Sequence, residues 1–349
     1  MKEKKSFNFL APFESFCDKY KIPLSIAIGA FLIVIPLLGV SRVAMRNLVM
    51  ILLYAMLGMG LNVLLGYTGQ VSLGHAGFYA IGAYTSAVLT TTFGWNFWIS
   101  ALCGALLAAL IGLLLGLPTL RLSGTYLTIV TLGFGEIVVM VMKQWESVTN
   151  GNYGIRNIPK PSLFGWEMTL TNGGFYWLIL FLAFITMMAC FTIKNSKVGR
   201  AFLAIKEDEL AATMMGIKTT RYKILAFVIS AFITGLAGAY YSVINNGYIE
   251  PTNFVFNISV QILSVVIIGG LGTTRGMFFG SALLMMFPQV FRFLDQWRFV
   301  IYGLLLVLMM QFRPQGALGW QSTLPYKLPR GTKKALAERE KSSNAAAKE

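Results

Sequence analysis

The sequence predicts an all-α polytopic membrane protein that crosses the bilayer about ten times, with both termini in the cytoplasm. Two observations predict this class. The first is composition: 56% of the 349 residues are hydrophobic and 12% are charged, against about 45–50% and 25% in soluble domains. A chain this poor in polar side chains cannot coat a soluble globule. The second is charge placement. Lys and Arg number 29 against 14 Asp and Glu, a net charge of +15. A nucleic-acid-binding protein would gather that excess on one face. Here it lies in short blocks between apolar runs, as membrane proteins distribute it.

The elements follow in order. Residues 1–22 are polar and basic (Lys2, Lys4, Lys5, Lys19, Lys21) and read as a cytoplasmic segment. A membrane domain, 23–312, comes next. Its first apolar run, Pro23–Val40, ends without a small-x-small cleavage pattern and reads as a retained span rather than a removed signal. Further runs are Met45–Gly66, Val71–Thr92, Phe97–Leu117 and Thr125–Met142, then, after a polar stretch, Phe175–Ile193, Ile224–Ile244, Phe254–Leu271, Gly276–Phe291 and Phe299–Phe312. Gly, Ser, Thr and Asn interrupt the second, third and eighth runs. In lipid their backbone must be satisfied internally, so these runs should face other helices or a cavity.

Orientation follows from the basic residues. With the N-terminus inside and every run crossing, only Arg42, Arg46, Lys143, Arg156, Lys160, Arg292 and Arg298, seven of 29, fall outside. That bias favours an even number of crossings. Two loops stand out. The outer one, Lys143–Gly174, is rich in Gly, Asn, Pro and Trp and long enough to fold over an entrance. The inner one spans 194–223, and a polar cytoplasmic tail, 313–349, ends the chain.

Several chemistries are disfavoured. Cys17, Cys103 and Cys190 show no metal or redox spacing, and the lone histidine, His75, cannot build a metal cluster or a triad. The dipeptide Gly-Lys never occurs, so no Walker-type phosphate loop is present. Any ATP that powers this chain must be bound, with magnesium, by another subunit, and no cofactor is expected here.

The inner loop carries two short amphipathic helices. Ser196 caps the first, with Val198, Ala201, Phe202 and Ile205 on its apolar side. Asp208 caps the second, which carries Leu210, Ala211, Met214 and Met215 and is closed by Gly216. Both are too short to stand alone in water and need a surface to pack on. That surface is either the membrane interface and the span ends or a partner protein. The mixed charges Arg200, Lys206, Glu207, Asp208 and Glu209 argue against anionic lipid.

The stretch Gly199-Arg-Ala-Phe-Leu-Ala-Ile-Lys-Glu-Asp-Glu-Leu-Ala-Ala-Thr-Met-Met-Gly-Ile217 resembles the EAA-type loop of ATP-binding-cassette (ABC) importer permeases, and more narrowly the branched-chain amino-acid permease family. Ala211, Ala212 and Gly216 fit the general pattern. Leu210 stands in its Glu position and Glu209 lies one residue early, an offset common in the narrower family. Gly66–Tyr84 (GYTGQVSLGHAGFYAIGAY), Leu120–Ile129 (LRLSGTYLTI), Gly269–Gly276 (GGLGTTRG) and Phe312–Gly319 (FRPQGALG) resemble the same family.

The resemblance implies the permease subunit of an importer for leucine, isoleucine and valine, although relatives carry urea, short amides or other amino acids. It implies a plasma-membrane location, a second related permease, two cytoplasmic ATPases and an external binding protein. It assigns ATPase coupling to Gly199, Arg200, Phe202, Ile205, Glu207, Glu209, Leu210, Ala211, Ala212, Met214 and Gly216. Phe202, Ile205, Leu210 and Met214 would be the apolar anchors, Arg200, Glu207 and Glu209 the rim.

For the pathway, the candidates are Gln70, Ser72, His75, Tyr79, Thr128 and Glu136. The small residues of Gly66–Tyr84 permit either close helix packing or a break that exposes backbone to a solute. His75 is then an interhelical hydrogen-bonding group or a pathway group. Glu136 lies near the middle of the fifth run, where an unpaired carboxylate costs about 2.5–3.5 kcal/mol or more. It needs a partner or a cavity. An ion-coupled carrier would use such an acid for protons, and this is the second functional reading. A membrane enzyme is third, since no cluster of catalytic side chains supports it.

Overall fold

The computed structural model describes residues 36, 41–119, 124–163, 166–169, 172–245, 247–290, 298–312 and 316. The expected span Pro23–Val40 and the tail 313–349 fall essentially outside them. Each later apolar run coincides with a helix. They are α1 (Arg42–Leu61, continuing as a π-helical turn, Asn62–Tyr67), α2 (His75–Thr91), α3 (Phe97–Thr119) and α4 (Thr125–Gln144). After the short α5 (Glu146–Thr149) come α6 (Gly174–Asn195), the loop helices α7 (Lys197–Glu207) and α8 (Glu209–Met214), and α9 (Thr219–Ile244). The last are α10 (Phe256–Gly269), α11 (Thr274–Val290) and α12 (Arg298–Phe312). The one departure is a hairpin of two-residue strands, β1 (Ser162–Leu163) and β2 (Trp166–Glu167), in the long loop after α4.

Six of these helices are long and apolar enough to cross a membrane. The longest, α9, has 26 residues, about 39 Å at 1.5 Å per residue, against roughly 30 Å of hydrocarbon. By contrast α2 and α11 have 17 residues and α12 has 15. The shortness of α2 has a visible cause. The run from Val71 does not form helix at once; Thr68–Gly74 is irregular and helix begins at His75.

The core is built around α9, which packs on α3, α2 and α1. Small residues allow this. A Cβ on Gly82 of α2 would collide with the Gly235 backbone of α9. Backbones in such contact hold through dispersion and polar contacts, since lipid offers no hydrophobic drive between helices. Meanwhile Leu106, Ile137, Phe181 and Leu304 are exposed on the outside of the bundle. A bilayer tolerates that surface and water does not.

The bundle has two distinct ends. At one, Arg46 of α1 donates to Asn245 beyond α9 at 3.3 Å, Ile155 bridges Ile249, and Trp98 of α3 donates to the Ser162 carbonyl at 3.2 Å. The loop after α4 therefore folds back over this end, as its length predicted. Arg156 lies over the Tyr248 ring at 5.3 Å, and the Tyr248 hydroxyl donates to Glu250 at 2.9 Å. Hydrogen bonds from Thr252 and Tyr248 hold the Glu250 carboxyl below the usual range. The other end gathers the C-terminus of α1, the α10–α11 turn and the loop helices α7 and α8.

Candidate functional site

At that second end the inner loop is fastened by local chemistry readable in its residues. The Ser196 hydroxyl accepts the Gly199 N–H at 3.3 Å and opens α7; the Asp208 carboxylate accepts the Ala211 N–H at 3.0 Å and opens α8. Both caps fall where the sequence puts them. Gly216 ends the loop helices with φ +82°, the left-handed closure a glycine accepts most readily.

The two helices differ in what they bury. In α7, Gly199, Ala201, Phe202 and Ile205 are buried, and the Phe202 ring meets Tyr222 of α9 edge-on at 6.2 Å. Arg200 and Glu207 are exposed. In α8 only Ala212 is buried. Leu210, Met214 and Met215 are 76%, 85% and 83% exposed, with Ala211 exposed beside them. Phe202 and Ile205, expected as anchors for a partner, are buried against this chain's own helices. Full burial against this chain's own helices leaves them no surface to offer. They seat the loop, and Met215 joins Leu210 and Met214 as the protruding apolar group. Glu209, expected on the rim, is held by an ion pair with Lys223 of α9. An open concavity of about 460 Å³, lined by Thr213, Gly216–Lys218 and Arg221 among others, adjoins α8.

The pathway candidates divide. Gln70, Ser72 and His75 come together in the break before α2. The Thr68 hydroxyl donates to Gln70 at 3.2 Å; the Ser72 hydroxyl lies 3.2 Å from His75 Nδ1. His75 Nε2 lies 2.7 Å from the Ser230 hydroxyl, which donates to the Gly60 carbonyl at 2.7 Å. His75 is thus fully buried with both ring nitrogens engaged, the interhelical role the sequence left open. N–H groups on either side of the α2 start are met from neighbours: Thr131 of α4 accepts from Leu73, just before the helix, at 3.1 Å and Ser259 of α10 accepts from Ala76 at 3.0 Å. Such partners are what a helix start buried at depth requires. Tyr79 sits one turn on, against Tyr241 and Phe254 at 5.3 and 5.0 Å.

Thr128 and Glu136 do not join this group. Thr128 bonds back to the Gly124 carbonyl at 3.2 Å. Glu136 is half-buried on α4 and has no hydrogen bond or ion pair among the described residues.

Sequence reasoning missed two lysines at the second end. Past the π-helical turn of α1, the Gly69 and Gln70 N–H groups return to Leu65 and Leu64, so the Gly66 carbonyl is left over. Lys206, at the end of α7, donates to it at 2.9 Å. Lys194, at the end of α6, donates to the Gly272 carbonyl at 2.6 Å and lies 5.9 Å from the Tyr67 ring centre. Asn62 completes the junction by accepting the Gly272 N–H at 2.8 Å. Gly66 has no room for a side chain: a Cβ there would meet Asn62 and lie 2.6 Å from Gly272 N. Gly316 backs onto Gly270. Three glycine-bearing stretches far apart in sequence (around Gly66, Gly270 and Gly316) therefore meet beside the inner loop.

Residues 43–310 match the family described as the branched-chain amino acid transport system permease component. The chain belongs to that family. It is 38% identical over 301 residues to the high-affinity branched-chain amino acid transport system permease protein LivM of Escherichia coli, covering 80% of this chain and 71% of that one. The LivM protein of Salmonella typhimurium matches to the same extent. The LivH permease protein of Escherichia coli is 25% identical over 291 residues, 76% of this chain and 91% of that one. No solved structure matches it. As a permease component, this is a membrane transport subunit rather than an enzyme.

Proposed function

We propose that this chain forms half of the translocation pathway of an ATP-driven importer of branched-chain amino acids. A second related permease supplies the other half, two cytoplasmic ATPases bind ATP and magnesium, and an external binding protein delivers the solute. The names of the relatives support the cargo. The chain crosses the membrane about ten times with both termini cytoplasmic, on the balance of basic residues.

One observation carries the reading: Leu210, Met214 and Met215 protrude at and just after α8, which rests on the chain through Ala212 and the Glu209–Lys223 ion pair. Apolar side chains so exposed on a fastened helix suit a groove in a partner, where a few buried anchors supply most of the affinity. In liposomes holding the full complex, Leu210→Asp with Met214→Asp should release the ATPase and abolish solute-stimulated ATP hydrolysis, while the permease still assembles. Wild-type co-purification and hydrolysis in that variant would remove the coupling assignment. Topology has its own test. Cysteines at Lys160 and Lys206 should label from opposite faces of intact membranes, Lys206 only from the cytoplasm.

A further inference from the structure

We infer that Lys206 is the positioning residue that transmits motion of the inner loop to the break before α2, through its bond to the Gly66 carbonyl. The inference rests on the proposed ATP-driven reading and goes beyond docking, because Lys206 faces the membrane helices.

The geometry has three parts. Phe202 and Ile205 seat α7 against the bundle, so α7 moves with whatever moves the loop. Its end carries Lys206, whose ammonium caps the C-terminus of α1 by taking a carbonyl that no backbone N–H reaches. A cation there also meets the negative end of the helix dipole. Burial of the ammonium lowers its pKa, while Glu207 acts in the opposite direction. The stem of Lys206 lies along Gly69, whose added Cβ would fall 3.3 Å from Lys206 Cγ.

Beyond that point the chain enters Thr68–Gly74, which carries Gln70 and Ser72 and delivers His75 to Ser230 of α9. Lys206 therefore grips the foot of the segment that positions the buried polar cluster. Lys194 makes the corresponding bond to Gly272. With Asn62 between Gly66 and Gly272, the two lysines hold one junction from two helices.

The test uses the whole complex in liposomes, with uptake per ATP, hydrolysis and ATPase co-purification read separately. Lys206→Met keeps the stem and removes the ammonium. It should lower uptake per ATP by about tenfold or more, the scale of one charge-assisted hydrogen bond, with the ATPase still bound and hydrolysing. Lys206→Arg should restore most of it. A second variant makes the comparison within one sequence. Cβ atoms at Gly69 and Lys206 would lie 3.8 Å apart, within the disulfide range of about 3.5–4.5 Å. In a chain whose own cysteines are alanine, Gly69→Cys with Lys206→Cys should couple poorly when reduced and recover when oxidised. Backbone strain at residue 69 is the same in both forms and cancels. Unchanged uptake per ATP in Lys206→Met, or identical oxidised and reduced forms, would overturn the inference. So would loss of the ATPase from Lys206→Met, which would make Lys206 part of docking. Failure of the ATP-driven reading looks different: the unmodified complex would then show no ATP-dependent uptake.

Discussion

Helices α7 and α8 stand next to each other in one loop, are both short, and both show an apolar side in the sequence. Yet α7 turns Phe202 and Ile205 into the protein while α8 turns Leu210, Met214 and Met215 out of it. The difference teaches that an amphipathic pattern states that a face must be covered without saying by what. Seating depends on what the neighbouring element presents. For α7, Tyr222 at the foot of α9 offers an aromatic face; for α8, the ion pair from Glu209 to Lys223 fixes the backbone and leaves the apolar row outside. The loop is therefore packed at its base, α7, and exposed at its tip, α8.

The comparison breaks most severely at Phe202. Phe202→Asp removes a fully buried ring and places a carboxylate in its space. Ring truncation alone costs about 3–5 kcal/mol, and the buried charge adds to it. The expected result is a sharp fall in thermal stability of the detergent-solubilised permease, with poor yield. A variant that melts with the wild type would mean that α7 does not rest on the bundle. Leu210→Asp should leave melting unchanged, since the side chain is mostly exposed, and should weaken ATPase binding by about 2 kcal/mol, roughly thirtyfold. Equal stability losses at the two positions would erase the contrast.

Gly216 tests the hinge between tip and base. Nothing lies within 4 Å of a Cβ added there, so only its φ of +82° resists a side chain. Gly216→Val should cost about 1–2 kcal/mol from backbone strain. It should cut coupled hydrolysis several-fold, whereas Gly216→Asn, which tolerates left-handed backbone, should remain near wild type. If both variants behave alike, the left-handed turn is not what matters.

Much of this was legible because it depends on local pattern. Apolar runs mark the helices, Ser196 and Asp208 mark helix starts, and Gly216 marks a left-handed stop. The start of α2 was harder to place. Val71 continues an apolar run, but the chain stays irregular until His75, where neighbours supply the hydroxyls that receive N–H groups on either side of the helix start. The lysine junction had no signal. Lys206 and Lys194 bond to carbonyls 140 and 78 residues away, and every residue has a carbonyl. Without a distinctive partner type, these lysines read as ordinary basic residues of a cytoplasmic loop.

The smallest effect is expected at Glu136, which separates the ATP-driven reading from an ion-coupled carrier. Glu136 is half-buried on α4, without a partner among the described residues and with no hydrogen bond to the cluster around His75. A charge at membrane depth must find compensation, and the remaining sources are water, solute and a neighbouring subunit. None of these gives it a proton-relay chain, since no other acid from a described span is joined to it. Glu136→Gln keeps the shape and removes the charge. Uptake should fall by no more than about threefold, in keeping with one polar contact of under 1 kcal/mol. The remaining uptake should still require ATP and be indifferent to a proton gradient. Abolished uptake in an intact complex that hydrolyses ATP normally would mean that Glu136 carries the coupling ion. The inner loop would then have to be explained as a structural brace.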